Sequence, residues 1–104
     1  MDNDNIDEMV SSVLKVLSNP LRIKVVLVLR EGEKRVSEIA DRTNCHQANL
    51  ARHLNELKII DFIESRREGQ SKYYFLKSPE LLKVIDIGEA FIKDRAKRKL
   101  AKFE

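Results

Sequence analysis

The sequence predicts a mainly α-helical domain that carries a small β-hairpin, an α+β fold. Apolar residues recur at helical spacing in several segments, and a run rich in tyrosine and phenylalanine folds back around a glycine. The chain has 104 residues, of which 42% are hydrophobic, so we expect one domain spanning residues 1–104. A chain this short leaves much of its surface exposed, and an apolar contact with a second copy would bury more of it.

Two helices open the predicted fold. Residues 6–17 place apolar side chains on one helical face. Asn19 and Pro20 mark the start of the next helix, because Asn is a favoured N-cap and Pro suits the first helical position. That helix is expected over residues 20–31, ending at Gly32. Its apolar run is also compatible with a buried strand, but its length and its proline favour a helix.

A pair of short helices is predicted over about residues 37–57, after a connector. Ser37 is expected to cap the first of them, which ends near Thr43. Asn44 tolerates the left-handed conformation that a tight turn requires, and the second helix begins near Gln47. Two helices joined in this way form a helix-turn-helix.

A hairpin and a long helix complete the pattern. The hairpin is expected over about residues 61–76 with Gly69 in its turn. The helix is expected over about residues 79–102, running towards Phe103 and capped by Ser78. Its first half is apolar on more than one face, which predicts a partner, most simply a second copy, although deeper burial in its own domain is the alternative. The predicted dimer contacts are Met9, Val13, Leu17, Leu82, Ile85, Phe91 and Ile92.

Several stretches resemble the ArsR/SmtB (arsenic-repressor type) family of regulators. They are LSNPLRI at residues 17–23, SEIA at 37–40, QANLARHL at 47–54, FIESRREGQ at 62–70, and the pair Tyr73-Tyr74. The resemblance covers about residues 14–76. It implies a winged helix-turn-helix that dimerises through its first and last helices. It also implies a sequence-specific DNA-binding regulator, a repressor, acting as a homodimer on a palindromic operator.

The residues support a DNA-reading helix independently. Leu50, Leu54 and Leu57 share one face, and polar side chains occupy the other. Gln, Asn and Arg can read base edges in a major groove, and the basic hairpin suits backbone or minor-groove contact. Gln47 and Asn49 are predicted to contact bases, whereas His53 has either a phosphate or a packing role. The predicted DNA-contacting residues are His46, Gln47, Asn49, Arg52, His53, Arg66, Arg67, Gln70, Ser71 and Lys72. An ordinary solvated helix face and hairpin are the alternative.

The same resemblance raises the question of a metal, and the residues argue against one. Where one family site has a cysteine pair, this chain has Arg35 and Ser37, and its last helix has no histidine for the other site. We therefore predict no metal and no cofactor. Cys45 is either a small packed hydrophobe or a thiol whose oxidation would alter DNA contact.

Composition excludes several other classes. The net charge of +3 is compatible with a polyanionic partner only if the cations collect on one face. An enzyme is not expected, because Cys45 and His46 are adjacent and do not face each other on a helix, and no glycine-rich loop exists.

A single cysteine, an acidic start and no 20-residue apolar run favour a cytoplasmic protein without a membrane segment. A winged helix that binds protein rather than DNA is the alternative function. The basic run at residues 93–102 is expected to be a solvated helix end, because cations complement the helix dipole there.

Overall fold

Five α-helices and a three-stranded antiparallel sheet make up the fold. The computed structural model describes residues 5–101. The elements in chain order are α1 (Ile6–Leu17), α2 (Pro20–Leu29), β1 (Lys34–Arg35), α3 (Val36–Thr43), α4 (Gln47–Ile59), β2 (Ile63–Glu68), β3 (Ser71–Leu76), a 3-10 turn (Pro79–Leu81) and α5 (Leu82–Ala101). The predicted mainly α fold with a β-hairpin is confirmed.

The core lies between α2, α4 and the sheet. Val25 and Val26 of α2 are fully buried, as are Leu50 and Leu57 of α4 and Phe62 just before β2. Such residues stabilise the fold by about 1.5–3 kcal/mol each when their apolar surface leaves water. This packing fixes one face of α4 against the body of the domain.

Three turn-forming residues behave as the sequence predicts. The Asn19 side chain accepts hydrogen bonds from the backbone N–H groups of Leu21 and Arg22, at 2.9 and 3.4 Å, and so caps α2. Asn44 is left-handed (φ 54°, ψ 48°) between α3 and α4. Gly69 has φ 62° in the two-residue turn between β2 and β3, whereas the φ of Gln70 is not positive, and this combination is that of a type II′ hairpin.

The connector at 34–36 differs from the prediction. Lys34 and Arg35 form a third strand, paired in register with Tyr74 and Tyr73 of β3. Ser37 is not the cap of α3. The Glu38 carboxylate accepts a hydrogen bond from the Arg35 N–H at 3.3 Å. The helix begins at Val36, two residues before Glu38, where a Ser37 cap would have started it.

Two other predicted boundaries are wrong. Helix α2 ends at Leu29 rather than near residue 31. The Ser78 hydroxyl does not cap a helix; it donates to the Asp61 carbonyl at 2.7 Å, and the 3-10 turn separates it from α5. The predicted continuation through residue 102 towards Phe103 lies outside the described residues.

Helix α5 packs against the core only near its start, through Leu82 and Ile85. None of its twenty residues is buried. Arg30, at the end of α2, donates two hydrogen bonds to the Asp86 carboxylate at 3.0 and 3.4 Å and ties α5 to the body. An apolar groove of about 470 Å³ separates α5 from α1. Within residues 5–101, no helix is long and apolar enough to cross a membrane.

Candidate nucleic-acid interface

Helix α4 presents a polar face opposite the leucines that bury it. Leu50, Leu54 and Leu57 are at most 2% exposed. The exposed residues over its first three turns are Gln47, Ala48, Asn49, Ala51, Arg52 and Asn55. This arrangement agrees with the leucine orientation that the sequence predicts, and it leaves amide and guanidinium groups free to meet an external partner.

The first turn of α4 also offers backbone donors. His46 precedes the helix, and its carbonyl accepts hydrogen bonds from the N–H groups of Asn49 and Leu50 at 3.1 and 3.0 Å. The His46 side chain makes no capping hydrogen bond. In the described chain the N–H groups of Gln47 and Ala48 therefore stay free at the positive end of the helix dipole.

Asn55 is an exposed polar residue of this face that sequence reasoning missed. It lies three residues after Arg52, so the two side chains are neighbours on the helix surface. Its spacing of three residues from Arg52 is the sequence feature that would have placed it on this face. Glu56, which stands beside it in sequence, is half-buried.

His53 does not belong to the exposed face. Its side chain is only 6% exposed, and its Nδ1 accepts a hydrogen bond from Arg22 Nε of α2 at 3.1 Å. Arg22 also donates from Nη1 to the Val16 carbonyl at 3.2 Å. Burial, and then the charges of Arg22 and Arg52, lower the pKa of His53 below its ordinary value of 6.5. Of the two roles predicted for His53, this position gives the ring a packing role.

The wing is the hairpin formed by β2 and β3. Its two faces differ, because side chains alternate along a strand. Ile63 and Tyr74 are buried and turn one face to the core. Arg66 and Tyr73 are register partners on the other face. At the tip, Arg67 lies opposite Lys72.

Arg66 is tied down by neighbouring groups. Its Nε donates to Glu33 at 3.0 Å, its Nη2 makes a second bond to the same carboxylate, and its Nη1 donates to Glu68 at 3.0 Å. Its guanidinium lies 4.8 Å from the centre of the Tyr73 ring. The hydrogen bonds that Arg66 donates lower the pKa of Glu33, and donation to the Glu33 and Glu68 carboxylates raises the pKa of Arg66. Its charge is therefore largely balanced within the protein.

The other predicted wing residues are disposed differently. Arg67 and Gln70 are exposed, and Ser71 and Lys72 are half-buried. Neither Arg67 nor Lys72 forms an ion pair with any residue in 5–101. The Lys72 ammonium lies 5.3 Å from the centre of the Tyr74 ring. The wing's unbalanced positive charge thus lies at its tip.

Cys45 is half-buried and packs against the core. Its Sγ donates to the His46 carbonyl at 3.4 Å. Across residues 5–101 no group of three or more His, Cys, Asp and Glu side chains is arranged to hold a metal ion.

The predicted dimer contacts are placed unevenly. Met9, Phe91 and Ile92 are 45–58% exposed. Val13, Leu82 and Ile85 are half-buried against the core, and Leu17 is buried within it. Leu17 and Ile85 nevertheless line the groove between α1 and α5, together with Ile92.

A two-helix turn with one exposed polar helix, followed by a basic hairpin, defines the winged helix-turn-helix class. The solved structure of the homodimeric winged helix-turn-helix DNA-binding domain Mb0332 from Mycobacterium bovis matches with a TM-score of 0.77 and 23% identity, covering 93% of each chain. The predicted winged fold is confirmed.

The chain belongs to the ArsR family of bacterial regulatory proteins, whose family model matches residues 19–65. The cadmium resistance regulatory protein CadC of Lactococcus lactis is 35% identical over 83 residues, which cover 79% of this chain and 70% of CadC. The transcriptional repressor SdpR of Bacillus subtilis is 34% identical, over 68% of this chain and 79% of SdpR. The chain is a transcriptional regulator with a winged helix-turn-helix DNA-binding domain, and not an enzyme, as the sequence predicts.

Proposed function

We propose that this regulator is a homodimeric repressor that binds a palindromic operator through α4 and the wing, without the metal sites common in its family. The observation that carries the proposal is the exposed amide and guanidinium face of α4, held in place by fully buried leucines. In helix-turn-helix docking the N-terminal part of such a helix meets the base edges.

The roles of the α4 residues follow from their chemistry. Asn49 and Arg52 are exposed and carry paired polar groups that match adenine and guanine edges in the major groove. Gln47 and His46 lie at the start of the helix, where side chains and free N–H groups reach bases and a phosphate. Arg67, Gln70, Ser71 and Lys72 of the wing contact the backbone or the minor groove, and Arg66 has a smaller part because two carboxylates balance its charge.

A second copy is the proposed occupant of the groove between α1 and α5. The groove lining is almost entirely apolar and includes Ile92, which is more than half exposed. Met9 of α1 and Phe91 of α5 also expose about half of their surface. A face of this kind costs free energy in water and suits a two-fold partner with the same surface. Mb0332, which shares the fold, is homodimeric. Two α4 helices would then meet half-sites about 34 Å apart.

Metal-independent action is supported by the residues at the family's usual positions. Arg35 and Ser37 stand where a cysteine pair would be needed. On α5, Asp86 is paired with Arg30 and Glu89 with Lys93. SdpR, by name a transcriptional repressor, supports the repressor assignment.

The test is selection of bound duplexes from a random pool, by the wild type and by a variant carrying Asn49→Ala and Arg52→Ala. The wild type should enrich one palindromic sequence, and the double variant should bind without that preference. Lys97→Ala is the matched control, because it removes a positive charge from an exposed position on α5. Placed over a reporter promoter, the enriched duplex should lower expression when the protein is present.

Two results would contradict the proposal. If the wild type enriches no sequence and its weak binding does not depend on salt, the winged domain acts on a partner other than DNA. If the double variant enriches the same sequence as the wild type, α4 does not read it.

A further inference from the structure

One exposed face of α5 changes from apolar to basic along the helix. Its first part presents Val84 and Phe91, which are 40% and 55% exposed, with Gly88 between them. Steps of four residues continue the same face to Arg95 and Lys99, and both of these cations are exposed. These five residues form the α5 stripe, which begins as an apolar surface and ends as a positively charged one.

Helix α1 carries a shorter stripe that ends in the opposite charge. Leu14, which lines the groove, and Val10 are each 48% exposed. A step of three residues from Val10 towards the N-terminus leads to Asp7, which is exposed in the first turn of the helix. Asp7, Val10 and Leu14 form the α1 stripe. It ends in a carboxylate, whereas the α5 stripe ends in two cations.

Within the described chain these charges are not balanced by one another. Across residues 5–101 no ion pair includes Asp7, Arg95 or Lys99, and none joins α1 to α5. The Arg95 guanidinium lies 5.9 Å from the centre of the Phe91 ring, a contact that neutralises no charge. The two charged ends are therefore available to an external partner.

The helix dipole explains only part of this arrangement. It favours acidic residues in a first turn and basic residues in a last turn, and its effect falls off within that turn. Arg95 lies six residues before Ala101, the last residue of α5, and so beyond that range. Glu8 and Lys97 also lie near the helix ends, but helical spacing places them on the sides opposite the two stripes.

The two stripes match in length when the helices run antiparallel. Asp7 and Leu14 are seven residues apart, as are Arg95 and Gly88, and seven residues rise by about 10 Å in an α-helix. An alignment that sets Leu14 beside Gly88 therefore sets Asp7 beside Arg95. Apolar surface then faces apolar surface, and the carboxylate faces the cations.

We infer that the α1 stripe of one copy lies antiparallel along the α5 stripe of its partner, with Asp7 against Arg95 and Lys99 of the partner subunit. Two-fold symmetry forms this contact twice in each dimer. The inference rests on the proposed homodimer and deepens it, because it gives the interface a direction and a charge pattern. It also assigns part of the basic run on α5, which the sequence predicts to be solvated, to assembly of the dimer.

Two charge reversals test this contact. Asp7→Lys makes both stripes basic, and the double variant Arg95→Glu, Lys99→Glu makes both acidic. Each homodimer then has two repulsive contacts in place of two attractive ones, so its dissociation constant, measured by sedimentation equilibrium, should rise about tenfold. In an equimolar mixture, every contact of the mixed dimer again joins opposite charges. Energy transfer between separately labelled variants should then show mixed dimers of nearly wild-type affinity.

Matched controls carry the same charge changes on the opposite sides of the two helices. Glu8→Lys alters the first turn of α1 as Asp7→Lys does, and Lys97→Glu alters the end of α5. Both should dimerise as the wild type does, because neither residue belongs to a stripe. If the controls weaken the dimer as much as the stripe variants do, the contact is not confined to the stripes and the inference is overturned.

The remaining outcomes separate this inference from the proposed function. Stripe variants that dimerise as the wild type does would overturn the inference and leave the proposed homodimer intact. Stripe variants that are weakened alone and are not restored by mixing would show that the charges act within one chain, which would also overturn it. A monomeric wild type would contradict the proposed homodimer itself, and this inference with it.

Discussion

His53 is held in its neutral form by burial and by the charges of Arg22 and Arg52, all of which lower its pKa. In the unfolded chain the ring titrates near 6.5. Between the lowered folded pKa and 6.5, the unfolded state binds more protons than the folded state. The stabilising contribution of His53 is therefore complete above pH 6.5 and is lost as the pH falls through that value towards the folded pKa.

The lowered pKa of His53 predicts that the protein becomes less stable as the pH falls. The free energy of unfolding, measured in urea, should decrease from pH 7.5 to pH 5.5, by at most about 1.4 kcal/mol per pH unit from this one proton. His53→Gln should lose that part of the slope. The exposed His46 is the control, and His46→Gln should keep the slope. A slope that persists in His53→Gln would assign the pH dependence to other groups.

Gly69 gives a second prediction for a single residue. Its φ of 62° is unfavourable for residues with a Cβ, although no atom lies within 4 Å of the position that the Cβ would occupy. Gly69→Ala should therefore lower the free energy of unfolding by about 1 kcal/mol through backbone strain alone. Equal stability of Gly69→Ala and the wild type in urea would contradict this.

The wing is an element in which neighbouring cations have unequal roles. Arg66 crosses the sheet from β2, over Tyr73 of β3, to Glu33 beside β1. It braces the wing against the body of the domain. Arg67 and Lys72 at the tip have no carboxylate partner in the part of the chain that the structure describes.

We expect this difference to appear in the salt dependence of DNA binding. Arg67→Ala and Lys72→Ala should each lower the slope of log K against log salt by about 1, because each removes a phosphate contact. Arg66→Ala should change the slope much less and should instead lower thermal stability. Glu33→Gln is the matched variant, since it should release Arg66 and raise affinity for random duplexes. An equal slope change in Arg66→Ala and Arg67→Ala would contradict the bracing role.

Sequence reasoning located the helices that local signals define. Asn19 and Pro20 fix the start of α2, and Gly69 fixes the hairpin turn, because capping and backbone conformation depend on neighbouring residues. The strand β1 was missed because its two residues become a strand only by pairing with β3, far along the chain. Ser37 failed as a cap because the helix begins at Val36, where the Glu38 carboxylate accepts from the Arg35 N–H, so Ser37 lies inside the first turn.

In the candidate site, too, features set by local spacing were predictable from the sequence, and contacts between distant residues were not. The leucine spacing of α4 was enough to predict which face is buried. The partners of His53 and Arg66 were not predictable, since Arg22 lies 31 residues before His53 and Glu33 lies 33 residues before Arg66. These contacts exist only once the tertiary fold has formed, and helical spacing alone placed His53 on the polar side.

At the scale of the whole molecule, the exposed apolar groove is the surface that we propose a second copy covers. Ile92 is 58% exposed and lines the groove between α1 and α5. Ile92→Glu would place a charge in a face that we propose is dry in the dimer, where an unpaired charge is strongly unfavourable. Sedimentation at micromolar concentration should show a dimer for the wild type and a monomer for Ile92→Glu.

Ile59 provides the control for this experiment. It is 65% exposed at the end of α4, away from the groove lining, so Ile59→Glu should remain dimeric. A monomeric wild type, or a dimeric Ile92→Glu, would contradict the proposed interface.

The surface that meets DNA can be mapped directly by following backbone amide signals as operator duplex is added to 15N-labelled protein. The account predicts that the large shifts fall in the first turns of α4, at residues 47–52, and at the wing tip, at residues 69–72. The basic run on α5, at residues 93–99, should shift little. Large shifts confined to α5, with α4 unperturbed, would contradict the claim that α4 reads the DNA.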